Sequence, residues 1–219
     1  MRRGRDADDV TSGGARNWVE LVATVLLAVA TVATAWSGYQ STRWNGEQAK
    51  AGARANALRI DSSKAASLAN SQTEIDVATF TQWVNAYAQD QTELADFYFR
   101  RFREEFRPAV DAWVATRPLQ NPEAPLTPFA MPQYTVAARA DADRLDAAAE
   151  LSAAEARRDI QRASNYVLGV VLFASALFFA GMSTKLTSPR LRVVMLVIGC
   201  AVFVGTALWI ATSPVSLSV

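Results

Sequence analysis

The sequence predicts an all-α integral membrane protein: three transmembrane helices, with a helical domain (a three-helix bundle or coiled-coil-like) between the first and second. Three observations carry that expectation. Residues 18–36, WVELVATVLLAVATVATAW, hold one charge, Glu20, while residues 165–182 and 193–211 hold none. Runs of that length make helices of about 28 Å, close to the roughly 30 Å apolar core of a bilayer. Aromatic residues with a polar tip stand at their ends, with Trp18 and Trp36 around the first, Tyr166 opening the second and Trp209 closing the third. Such rings favour the headgroup layer. The runs also lack the alternation of a membrane β-strand, and lipid admits only helices or closed barrels.

The expected order is an N-terminal cytoplasmic segment, 1–17; the first span, 18–36; an extracytoplasmic helical domain, 37–164; the second span, 165–182; a basic cytoplasmic loop, 183–192; the third span, 193–211; and an extracytoplasmic tail, 212–219. Orientation follows the Lys/Arg bias of short flanks. Arg2, Arg3, Arg5 and Arg16 precede the first span, and Lys185, Arg190 and Arg192 lie between the second and third. Arg157, Arg158 and Arg162 argue the other way, but long translocated segments follow the bias weakly. A cleaved signal peptide is the alternative for the first run, since Ala33-Thr34-Ala35 resembles a cleavage site. Its apolar core is longer than the usual 7–15 residues.

The stretch AWSGYQSTRWNGEQA, 35–49, places Trp36, Tyr39 and Trp44 among polar residues just past the first span. From Trp36 to Trp44 is about 12 Å of helix. A collar at the lipid boundary is the expected reading, and a lipid- or sugar-binding platform the functional alternative.

No proline precedes Pro108, and then Pro118, Pro122, Pro125, Pro128 and Pro132 crowd one stretch. Residues 117–133 therefore read as an extended connector, able to reach about 53 Å. On either side the pattern is helical. A break is expected near Asn70, because asparagine suits a left-handed helix end and Ser71-Gln72-Thr73-Glu74 matches a capping box. Asp61-Ser62-Ser63 is a second candidate. Helix A would then run over 37–69, and helix B over 72–107, carrying Phe80, Trp83, Val84, Tyr87, Leu94, Phe97, Tyr98, Phe102 and Phe106, mostly at steps of three, four or seven along one face. Helix C, about 135–164, would have a seam of Leu145, Ala149, Ser152, Ala156 and Ile160. Alanine on A and C permits close approach.

Candidate chemistry is sparse. Glu20 is a possible intramembrane functional acid, with Arg16 or Lys185 as partner. Asp143, Asp146 and Glu150 share a helical face and offer hard oxygen ligands, but the interleaved arginines favour a solvated surface. FYFRRFREEFRP, 97–108, allows Arg100–Glu104 and Arg101–Glu105 pairs. It also allows contact of Arg103 and Arg107 with anionic lipid. Cys200, the single cysteine, reads as a packing residue. With no histidine, the commonest general base and transition-metal ligand are missing. No GxSxG, P-loop, CxxC or HExxH motif occurs. The reading is therefore non-enzymatic, with no cofactor and no metal. A net charge of +1 gives no nucleic-acid footprint. Small-xxx-small pairs, Ala30/Thr34, Ala176/Ala180 and Ala201/Gly205, offer close helix contacts in lipid.

The Ala-rich first span followed by WSGYQSTRWNGEQAKA, and the closing pair of spans around a short basic loop, resemble a family of bacterial three-span inner-membrane proteins classed as a domain of unknown function. The likeness covers most of the chain as architecture. It implies a multi-pass protein of the bacterial inner membrane and supplies no catalytic residue. Scarce lysine fits an Ala/Arg-rich bacterial proteome.

The expected role is protein–protein contact through the helical domain, including self-association. The expected partners are membrane lipids and either a second copy or a partner membrane protein. The alternatives are an envelope sensor or accessory subunit, and an oligomeric channel or carrier centred on Glu20.

Overall fold

The computed structural model describes the backbone of residues 6–216 and the side chains of residues 18–216. Arg2, Arg3, Arg5 and the side chain of Arg16 lie outside the described residues. The elements are α1 (Asp6–Ala88), α2 (Thr92–Phe99), α3 (Arg107–Ala115), a 3₁₀ turn (Pro128–Ala130), α4 (Ala137–Lys185) and α5 (Pro189–Ala211). Three of these helices are long and apolar enough to cross a membrane. The chain divides into two units, one made of Met1–Gly52 with Ala153–Val219, the other of Ala53–Ser152.

The first unit is a bundle of three helical segments. Glu20 meets Arg192 at the start of α5, and Gln40, farther along α1, meets Ser216 just beyond its end. These two stretches are therefore parallel. Between them α4 runs the opposite way, with Tyr166 reaching Pro214 and Ser183 receiving Arg192. Small residues set the spacing: Ala23, Ala30, Ala176 and Ala180 are fully buried. At Gly199 an added Cβ would lie 3.3 Å from the Ala176 carbonyl oxygen, so α5 approaches the α4 backbone itself. Ala201 and Gly205 do not join this seam and face outward.

The outward faces are apolar. Leu21, Val32, Phe178 and Leu208 are each more than 60 % exposed. Only 22 %, 28 % and 22 % of the most apolar windows of α1, α4 and α5 are buried within the protein. Such continuous apolar surface exceeds what a monomer in water tolerates. The multi-pass reading thus rests on which faces are uncovered as well as on composition. The loop expected over 183–192 is shorter: α4 continues to Lys185, and α5 starts at Pro189 behind Ser188 as N-cap residue. Proline suits that first helical position because its missing N–H has no partner to lose there.

In the second unit α1 and α4 are antiparallel, since Arg59 bonds Glu150, Asn70 bonds Arg139 and Thr73 receives Tyr134. The break expected near Asn70 is absent, as is the one at Asp61-Ser62-Ser63. Buried and half-buried positions continue through both sites at steps of three and four, from Ala55 by way of Leu58, Ser62, Ala66, Ala69 and Thr73 to Asp76, Phe80 and Trp83. Tertiary packing of that face outweighs a four-residue capping signal. Helices A and B are thus one element as far as Ala88, and no three-helix bundle forms.

The actual left-handed helix end is Asp90, with φ of 54°. Its N–H donates to the Tyr87 carbonyl and that of Gln91 to the Ala86 carbonyl, the pairing of a Schellman motif. Beyond it the rings assigned to one face of helix B are spread over α1, α2 and the turns at 100–106. Phe80, Trp83, Phe102 and Phe106 converge on one cluster with Val110 and Trp113, while Tyr87 and Phe97 stay exposed outside it. The proline-rich stretch does not run extended. The Trp113 indole N–H donates to the Pro125 carbonyl at 2.6 Å, and Phe129 stacks on Phe106 at 5.2 Å. On α4 the seam within this unit is Ala138, Ala142, Leu145, Ala149 and Ser152. Farther along, Asp159 is buried in place of the expected Ile160, which is 49 % exposed.

Candidate functional site

The polar groups of the first unit gather around one carbonyl. Pro214 cannot continue α5, and the chain turns after Ala211 through bonds from Thr212 to Trp209 and from Ser213 to Ile210. The Pro214 carbonyl then accepts from Trp44 Nε1 and from the Tyr166 hydroxyl, both at 3.2 Å. Two residues on, the Ser216 N–H donates to Gln40 Oε1 at 3.0 Å. Arg162 lies 4.6 Å from the Trp44 ring centre and donates to Asp159 at 2.9 Å. Side chains of α1, Gln40 and Trp44, and of α4, Tyr166, are thereby tied to the backbone of the segment that follows α5.

Trp44 and Tyr166 were expected at a lipid boundary. Both are buried, Tyr166 completely, because each ring has found a carbonyl for its N–H or O–H inside the bundle. Trp18, Trp36, Tyr39 and Trp209 remain exposed, Trp36 and Tyr39 as a ring pair 6.0 Å apart. Sequence reasoning missed Gln40, Arg192 and Pro214. Gln40 and Arg192 sit beside apolar runs, where an uncompensated polar side chain is costly, and that was the available signal.

Two polar atoms of this cluster, Ser37 Oγ and Gln40 Nε2, are buried and accept or donate no hydrogen bond. Ser37→Ala is therefore expected to be neutral or slightly stabilising, because it removes an unpaired hydroxyl. Tyr166→Phe should cost about 0.5–1.5 kcal/mol, and adding Trp44→Phe should cost more than the sum of the singles, because the carbonyl then has no donor. Thermal unfolding in detergent of the parent protein, the three single variants and the double variant measures this. A stability loss for Ser37→Ala as large as that for Tyr166→Phe would refute the assignment.

At the opposite end of the bundle, Glu20 Oε1 accepts from Arg192 Nη2 at 3.1 Å, and Arg192 Nε donates to the Ser183 carbonyl. The partner described is Arg192 rather than Lys185; the side chain of Arg16, the other expected partner, lies outside the described residues. Arg192 is 11 % exposed at its side chain and Glu20 51 %.

The second unit holds a buried ionic network. Asp76 accepts from Arg103 Nε at 3.1 Å and Nη2 at 2.8 Å, and from the Tyr134 hydroxyl at 3.3 Å. Arg103 Nη1 also donates to Glu105 at 2.7 Å. The Asp76 hydrogen bond, ahead of the Glu105 bond and despite the cost of burial, holds Arg103 firmly protonated. Arg103 holds the Glu105 carboxyl below its ordinary value. Arg107 donates to the carbonyls of Phe102 and Arg100. Both arginines offered for lipid contact therefore have partners within the protein. The i,i+4 pairs Arg100–Glu104 and Arg101–Glu105 do not form, because residues 100–106 leave the helix. Arg101 instead covers the Phe97 ring at 3.6 Å.

Burial raises the Tyr134 phenol above its ordinary 10.0. A raised folded-state value favours folding below the unfolded value and loses that contribution as pH rises through the folded one. Stability is thus expected to fall above about pH 10, and Tyr134→Phe to flatten that slope. Melting curves between neutral and alkaline pH test it; an unchanged slope in the variant would exclude Tyr134 as its source.

The acidic face of α4 is split. Glu150 pairs with Arg59 at 2.7 Å and Asp141 with Arg144 at 3.1 Å. Among the described residues no three carboxylate or thiol groups are gathered for a metal. Cys200 is a free, half-buried thiol.

These features define a class: an all-helical protein with three helices able to span a membrane, and a second helical unit built around an aromatic core. Comparison with protein-family models, curated proteins and solved structures gives no match.

Proposed function

We propose that this chain is a non-enzymatic, multi-pass protein of a bacterial inner membrane whose helical unit, 53–152, makes protein–protein contacts, including contact with a second copy. The observation that carries this reading is large apolar side chains left uncovered on that unit. Ile60, Leu68 and Ile75 on α1 and Leu151 on α4 are each more than half exposed. The three on α1 recur at spacings of eight and seven, close to whole turns, so they lie along one side of the helix. The 3-4 spacing of the buried and half-buried α1 residues is also that of coiled-coil packing. The Lys/Arg bias supports an inside N-terminus and basic loop, with 37–164 outside.

The test replaces Cys200 with alanine and places single cysteines at Ser67 and at Ser188. Ser67 should label from outside the cell and crosslink to a second copy; Ser188 should label after permeabilisation. A protein that stays monomeric in mild detergent, with no Ser67 crosslink in cells, would overturn self-association. A channel or carrier centred on Glu20 is the weaker reading, since that carboxylate has an arginine partner. Glu20→Gln in a liposome flux assay addresses it: a flux that the substitution changes would revive it, and unchanged or absent flux would dispose of it.

A further inference from the structure

Where α1 ends, the second unit carries a cleft of about 340 Å³ bounded by Trp83, Tyr87, Asp90, Asp96 and Phe99, among others. It owes its form to the helix end already described. The left-handed turn at Asp90 reverses the chain and sets α2 beside the last turn of α1. Glycine meets that conformation without strain; here an aspartate holds it and places a carboxylate on the cleft.

Its chemistry combines two features. One is an aromatic wall: the Trp83 and Tyr87 rings stack with centres 5.0 Å apart and planes 17° apart, and Phe99 lies 6.5 Å from Trp83. Trp83 is fixed in the core at 5 % exposure, whereas Tyr87 is 41 % exposed. The second feature is negative charge. Asp90 and Asp96 are both exposed, and neither takes part in an ion pair among the described residues. Arg100, four residues beyond Asp96, does not pair with it; the Arg100 carbonyl accepts from Arg107.

The first residues of α2 also line the cleft, and a helix N-terminus favours anions with about half a positive charge. Two full carboxylates outweigh it. We propose that this cleft binds an organic cation, an alkylammonium or guanidinium group. The aromatic wall meets such a group by cation–π attraction, and Asp90 and Asp96 meet it by charge and hydrogen bonding. The volume lies at the small end of ligand pockets and suits a polyamine end or one lysine or arginine side chain. The inference is independent of self-association.

The test is calorimetric titration of the full-length protein in detergent micelles with spermidine and, separately, with N-acetyl-arginine amide. Saturable binding is expected with at least one of them. Asp90→Asn with Asp96→Asn should weaken it by about tenfold or more. Asparagine tolerates the left-handed conformation, so the helix end survives. Tyr87→Ala should weaken binding comparably and Tyr87→Phe should leave it nearly unchanged, a contrast that a loss of charge alone does not produce. Near-UV circular dichroism verifies that each variant keeps its aromatic packing. Preference for spermidine would point to a free cation, and preference for the arginine amide to a side chain from a partner protein. No saturable heat with either probe at millimolar concentration, or equal affinity in the double aspartate variant, would overturn the proposal.

Discussion

Phe106→Ala is expected to lower the stability of the second unit by about 3–5 kcal/mol, the range for truncating a fully buried phenylalanine. Phe106 is completely buried, and its ring meets those of Phe80, Phe102, Phe129 and Tyr134 at 5.1–6.3 Å. These contacts join α1, the turns at 100–106, the 3₁₀ turn and the approach to α4. Deletion leaves a cavity that several separately anchored segments would have to move to fill. For about 100 residues each kcal/mol shifts the melting midpoint by roughly 4–8 °C, so the variant should melt more than about 12 °C lower. Phe106→Leu, which keeps more of the volume, should lose markedly less. Near-UV circular dichroism during a thermal ramp provides the measurement. A shift below about 4 °C would mean that the cluster is not the core of this unit.

Asp76→Ala should have the next largest effect, about 2–4 kcal/mol. Breaking a buried ion pair costs more than the pair contributes, since the remaining charge stays desolvated. Asp76 is 1 % exposed and Arg103 20 % at the side chain. Because Arg103 retains Glu105 and some contact with water, the loss should fall short of that for a fully enclosed arginine. Replacing both residues, Asp76→Ala with Arg103→Met, should cost less than the two single losses added together, with a coupling of about 1–3 kcal/mol. Purely additive losses in that cycle would show that the two side chains do not depend on each other. The same comparison separates a structural role for Arg103 from one in lipid contact, which would leave Asp76→Ala nearly silent.

Much of the helical content was legible beforehand, and the errors share one cause. The three apolar runs were readable because each is long, local and nearly free of charge. Asn70 and Ser71–Glu74 read as a boundary because local capping chemistry is present, while the burial of Ala69 and the pairing of Asp76 with Arg103 and Tyr134 depend on distant residues. The chain instead turns at Asp90, which has no glycine or proline beside it to announce a turn. Phe80, Phe97, Phe102 and Phe106 fit a helical face by spacing, yet α1 and the turns at 100–106 deliver three of them to one cluster from different directions, and Phe97 stays outside it. The prolines from Pro118 to Pro132 mark a stretch without a long helix, but the extended connector expected there does not form, since Phe129 packs on Phe106 and Trp113 holds Pro125. In the site the same limit applies. Glu20 stood out because a charge in an apolar run is costly, but its bond to Arg192 joins residues 172 positions apart.

By itself the sequence determined that this chain has three helices fit for a bilayer, because apolar length and the lack of charge are local properties, summed residue by residue against the solvent. The tertiary structure alone decided which way the rings face and which charges meet. Trp44 is buried in the bundle because Pro214, 170 positions later, offers a carbonyl that no pattern near residue 44 foretells. Asp76 can be charged and buried because Arg103 and Tyr134 arrive from beyond two turns and the proline-rich stretch. Such pairings depend on where distant segments converge, and hydrogen bonds and ion pairs act over a few ångströms of space, whatever the separation along the chain.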